Sequence, residues 1–177
     1  MKNIILFAIA FALLLSCKKE NEEVKTSGEV ILSTQILGGE PNYYVQGFSF
    51  ATAQILKYNK TSNTNPDLVP ENNTQNEILG ANIESPNNDK AFYKAGEFST
   101  LTEAQTFFNT IKEAGSVVFE QKIYNVKANQ VYLYKSRSDT YAKFLVKSTE
   151  TMDGPLTDYV KITIEWVYQP DGSLIFP

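Results

Sequence analysis

Twenty carboxylates, ten tyrosines and one cysteine are the residues through which this chain of 177 could act on another molecule, and there is no histidine among them. Without an imidazole, neither a Ser-His-Asp nor a Cys-His nucleophilic system can be assembled. Zinc and haem sites with a histidine ligand are excluded for the same reason. Met152 is the single methionine beyond the first residue. Two carboxylates would suffice for glycoside hydrolysis, but no spacing among the acidic residues singles out a pair. Glu120, Asp158 and Glu165 lie on or beside strand-like segments, and Glu165 shares a strand face with Lys161, the setting of a solvated or ion-paired carboxylate. We therefore expect no catalysis, no metal and no cofactor. Tyrosinate can ligate haem iron, which keeps haem chemically open, yet β propensity and aromatic packing account for where the tyrosines fall. Tyr43, Tyr44, Tyr132, Tyr134 and Tyr141 are the candidate ligand-binding residues. Several of them should face outward if Val, Leu and Phe take the inward faces, and exposed aromatics grouped as a patch mark contact surfaces.

The cysteine has a different role. Lys2 precedes an unbroken apolar run of twelve residues, Ile4 to Leu15, closed by Ser16, which reads as a secretory signal over residues 1–16. The run is shorter than the roughly 20 residues a bilayer span needs. Leu14-Leu15-Ser16-Cys17 resembles the bacterial lipobox, in which the cysteine thiol is acylated and the peptidase cuts just before it. A lone cysteine has no partner for a disulfide within the chain, and lipidation of Cys17 explains it. Several acyl chains hold a protein to a membrane stably where one is marginal. The stretch Lys18 to Glu23, with Glu20, Glu22 and Glu23, resembles the export tags of some Gram-negative lipoproteins, so the expected location is the outer face of the outer membrane.

Removing residues 1–16 leaves 161 residues with 15 basic and 20 acidic side chains, a formal charge of about −5. A nucleic-acid partner calls for a basic face, so none is expected. Residues 17–28 read as a lipidated polar tether and 29–177 as one β-rich domain.

The elements that must position the tyrosines are mostly strands. "EVILSTQI" (29–36) ends at Gly38-Gly39, and "NYYVQGFSFATAQILKY" (42–58) is an aromatic strand with a kink near 51–53. Six asparagines with Pro66 and Pro70 make 59–77 a long loop. A strand is expected at 77–85. "TLTEAQTFFNTIKEAG" is the one helix, with Thr100 and Glu103 as a capping box, Leu101, Ala104, Phe107, Phe108, Ile111 and Ala114 on one face, and Gly115 as the stop. Segments 116–124, 130–136, 140–149 and 158–169 complete the strands. The last alternates Val160, Ile162, Ile164, Trp166 and Tyr168 against polar positions, the pattern of an antiparallel sheet with one buried face. The expected fold is mostly β, antiparallel sheets with one packed helix near 100–114.

"GFSFATAQIL", "NQVYLYKSRSDTYAKFLVKSTE" and "VKITIEWVYQ" together resemble the HmuY-type lipoproteins, surface haem-binding proteins of mostly-β fold. The matching stretches are Phe48–Phe50, Val131–Lys135, Tyr141–Val146 and Ile162–Tyr168, about a third of the chain. In that family haem is held by paired His or Met axial ligands from the middle of the chain. Here the middle carries the asparagine-rich segment and the helix instead, so the resemblance implies the fold and the address without the family's haem ligands. The expected function is a lipid-anchored, cell-surface ligand-binding lipoprotein, its ligand a porphyrin, glycan or peptide. The alternative is an accessory or structural subunit of an outer-membrane complex.

Overall fold

The computed structural model describes residues 24–61, 63–75 and 78–177. The expected signal, Cys17 and the expected tether up to Glu23 lie outside the described residues. About half of the described residues are strand and 7% are helix, as a mostly-β fold requires.

Ten strands and one helix follow in the order β1 (Ser27–Leu37), β2 (Tyr44–Ser49), β3 (Gln54–Tyr58), β4 (Val69–Gln75), β5 (Ile78–Glu84), β6 (Phe92–Glu97), α1 (Leu101–Thr110), β7 (Lys122–Ile123), β8 (Gln130–Lys135), β9 (Tyr141–Met152) and β10 (Tyr159–Gln169). They form a seven-stranded sheet, β3-β2-β1-β10-β9-β8-β6, and a three-stranded one, β4-β5-β7. Every pairing is antiparallel. The first strand closes on the last, with Ser27 opposite Val167 and Ser33 opposite Lys161. β1 thus begins two residues inside the expected tether.

Between the two sheets lies the main core. Phe48 and Phe50 of the β2 segment meet Trp166 of β10 at 5.3 and 5.8 Å between ring centroids, and Phe50 stacks on Tyr168 at 6.1 Å. Burial along β10 alternates as its sequence does, with Val160, Ile162, Ile164, Trp166 and Tyr168 inside. The expectation of one buried face fails for β8 and the first half of β9, which are buried on both faces. Val131 and Leu145 turn away from the main core and pack under Ala104 and Phe108 of α1. Leu133 does the same beneath Ala114 and Phe176.

Three segments depart from their sequence patterns. The expected loop 59–77 contains β4, a seven-residue strand paired with β5 from Val69 opposite Glu84 to Gln75 opposite Ile78. Pro70 is tolerated there because β4 is the edge of its sheet. Of 116–124 only Lys122–Ile123 is strand, preceded by a bridge from Glu120 to Phe92. The aromatic stretch 42–58 is a hairpin, β2 and β3, reversed around Ala53 in left-handed backbone.

The helix has its expected start and a different end. Thr100 Oγ1 accepts from the Glu103 N–H, and the Glu103 carboxylate accepts from the Thr100 N–H. It stops after Thr110, not at Gly115, because Ile111 turns to extended backbone and the chain pairs with the C-terminal segment: the Ala114 N–H donates to Leu174 and that of Phe176 to Lys112. The orphaned carbonyls of Phe108 and Ile111 are taken by the Lys143 ammonium, at 2.9 and 2.7 Å. Leu101, expected on the buried face, is 40% exposed.

Candidate functional site

The structure separates the five candidate tyrosines. Tyr132 and Tyr134 are 3% and 2% exposed, core residues and not parts of an outward patch. On β8 they point into the main core, where Tyr132 stacks on Phe144 and Tyr134 packs on Phe50. Their hydroxyls are already committed. Tyr132 donates to Gln130 Oε1 at 2.8 Å, and Tyr134 donates to Asp67 Oδ1 at 2.8 Å. Burial, reinforced by Glu97 for Tyr132 and by Asp67 for Tyr134, pushes both phenols far above their usual range, so neither offers a phenolate. Tyr141 is half-buried against Leu133 and Phe176, on the opposite side of the sheet.

Tyr43 and Tyr44 do come together, at the entry to β2, in a cleft of ≈ 480 Å³ where the two sheets join. This lies within the roughly 300–1,000 Å³ usual for small-molecule sites. One wall is the end of β1 with Thr34 and Ile36; a second is Tyr43, Tyr44 and Val45; the third is Tyr58 at the end of β3, with Asn59 and Lys60. β4 supplies the floor, from Val69 to Asn72. Tyr58 is the residue that sequence reasoning missed. It sits opposite Val45 in the β2–β3 register, and that pairing depends on the hairpin. Read as one kinked strand, 42–58 placed Tyr58 far from Tyr43.

The floor is held rigidly. Thr34 Oγ1 donates to Asn72 Oδ1 while accepting from the Val160 N–H at 2.8 Å, and Asn72 Nδ2 donates to the Asp158 carbonyl at 3.2 Å. From outside the cleft, Lys57 Nζ lies 5.0 Å from the Tyr44 ring centroid, a cation–π contact that steadies the ring.

Beside the floor, Glu71 and Glu84 of neighbouring strands share Lys122, whose ammonium bonds Glu71 and lies 3.9 Å from Glu84. Burial raises the Glu84 carboxyl and Glu71 raises it further, with Lys122 opposing. Tyr58 is likewise raised, first by burial and then by Glu84 and Glu71, so its hydroxyl stays protonated.

The carboxylates weighed from sequence do not converge. Glu165 accepts from Gln105 of α1 at 3.1 Å, Glu120 pairs its backbone with Phe92, and Asp158 offers its carbonyl to Asn72. Among the described residues, no group of three or more Cys, Asp or Glu side chains is arranged to hold a metal ion, and no helix is long and apolar enough to cross a membrane. Comparison of the chain with protein-family models, with curated proteins and with solved structures finds no match.

Proposed function

We propose that the chain is a lipid-anchored, cell-surface protein that binds a small ligand in the cleft of Tyr43, Tyr44 and Tyr58, and that it works by binding, not by catalysis. The observation that carries this reading is the cleft itself. Strands of both sheets build it, hydrogen bonds through Thr34 and Asn72 fix its floor, and two of its three tyrosines are ones the sequence singles out. A site fixed before binding spends little on ordering its groups. The address rests on Leu14-Leu15-Ser16-Cys17 and the acidic stretch behind it. In this reading the chain is similar to the HmuY-type lipoproteins in address and in strand-rich architecture. It differs in taking its ligand through phenols and amides, with no histidine to bond an iron.

Two experiments test the two halves. In cells, Cys17 should incorporate labelled palmitate, and Cys17→Ser should release the protein from the membrane fraction; unlabelled, membrane-bound protein would refute the anchor. For the site, the soluble mature chain carrying Cys17→Ser is screened by NMR against a library of small polar and aromatic fragments. Shifts should cluster on Tyr43, Tyr44 and Tyr58; fragments collecting elsewhere, or nowhere, would refute the cleft as the binding site. Titration with haem should leave the Soret band as that of free haem.

A further inference from the structure

We propose that the ligand of this cleft is a neutral saccharide; the inference rests on the cleft being the binding site. Its walls combine two features that a sugar uses together. The phenol rings of Tyr43, Tyr44 and Tyr58 offer flat apolar surface to the C–H face of a pyranose, and the groups between them donate and accept hydrogen bonds at fixed positions. Tyr43, 41% exposed, forms the outer ring of the set. Hydroxyls on adjacent sugar carbons need donors and acceptors side by side; the Glu71 carboxylate, the protonated Tyr58 phenol and the second N–H and lone pair that the Asn72 amide keeps beyond its bonds to Asp158 and Thr34 supply both.

Charge decides against the other classes. The cleft carries one group of each sign, Lys60 and Glu71. The Glu71 carboxylate is held by Lys122, so it is available as an acceptor without being an unpaired charge. Around the cleft Lys57, Lys60 and Lys122 are interleaved with Glu71 and Glu84, so neither a cation nor an anion meets a field of a single sign to select it. A porphyrin would need an axial ligand for its iron. The Tyr58 phenol, kept protonated by burial and by the two carboxylates, is a poor one. What remains favoured is an uncharged ligand with many hydroxyls and apolar faces.

The test is calorimetric titration of the mature Cys17→Ser chain with maltotetraose, cellotetraose, laminaritetraose and mannotetraose, with choline and haem run in parallel. At least one saccharide should bind saturably, with an affinity that added salt leaves unchanged because no counterion is displaced. Tyr43→Ala should weaken that affinity at least tenfold, about 1.4 kcal/mol. Tyr43→Phe, which keeps the ring, should stay within threefold. Tyr43 is on the surface, so both variants are expected to fold, and their thermal melts check that they do. No binding of any of the four saccharides would overturn the proposal. If choline or haem then bound, and Tyr43→Ala abolished it, the site would stand and the saccharide assignment would fall. If none of the six probes bound and the fragment screen left the cleft tyrosines unshifted, the site reading would fall too.

Discussion

Replacing Lys143 by methionine tests how the helix is held on the sheet. Lys143 is 4% exposed, and its ammonium donates to the Phe108 and Ile111 carbonyls while lying 4.7 Å from the Phe108 ring centroid and 5.5 Å from that of Phe176. Each charge-assisted bond of this kind contributes about 1.5–3 kcal/mol. Against this stands the cost of burying the ammonium, several kcal/mol per ion. Methionine keeps most of the apolar stem and removes that burial cost, so these two terms largely offset. The two carbonyls left unpaired at the end of α1 then decide the sign, at about 1–3 kcal/mol each where water cannot reach them. We expect a net loss of about 2 kcal/mol, which for a domain of this size lowers Tm by roughly 4–8 °C. Thermal unfolding followed by circular dichroism measures it, and hydrogen exchange should show the lost protection concentrated in the last turn of α1. The pH dependence gives a second readout. Burial, then Lys112, holds the Lys143 pKa below the ordinary 10.5, with Glu165 opposing. The folded chain therefore releases this proton before the unfolded chain does, and the wild type should gain stability over the variant as pH rises from the lowered value towards 10.5. An unchanged or raised Tm at neutral pH, with α1 exchange unaltered, would refute the cap.

Further predictions concern the crossing between the sheets and the start of the helix. A Cβ on Gly47 would lie 2.5 Å from Pro66 Cγ and 2.9 Å from the Leu68 carbonyl oxygen, so Gly47→Ala should cost about 2 kcal/mol in denaturant unfolding. Asp67 accepts from the Tyr134 hydroxyl and from the Phe50 N–H, and burial raises its pKa against those bonds. Because the folded carboxyl takes up its proton first, the wild type should gain stability relative to Asp67→Asn as pH falls from neutral through the raised value towards about 4; a loss over that range would contradict the sign. Thr100→Ala removes one half of the capping box and should destabilise by about 1 kcal/mol, read as a fall in the urea midpoint at constant slope.

Much of the architecture was legible because it is local. Alternation along Val160 to Tyr168 specified a strand and its inner face, and the Thr100–Glu103 pair specified where the helix begins; each depends on residues within a few positions of one another. The asparagine-rich segment misled because turn-forming residues outweighed a strand whose partners, β5 and the side chains of Thr34 and Lys122, come from outside the segment. The helix end was misplaced for a related reason: Gly115 is a local stop signal, whereas the operative cap comes from Lys143, 32 residues from Ile111.

By itself the sequence determined the β-rich class and the absence of imidazole chemistry, both properties of residue type and near-neighbour order. Tertiary structure alone decided which tyrosines meet solvent. Tyr132, Tyr134 and Tyr141 share one alternation rule with Tyr43 and Tyr44, yet two are core and one lies on the opposite side of the sheet. Alternation tells two faces apart but not what covers each, and α1, the second sheet and the C-terminal segment cover them from far along the chain. The cleft likewise exists only where β1, β2, β3 and β4 converge, which brings Tyr58 and Glu71 beside Tyr43 through pairings that no short stretch encodes.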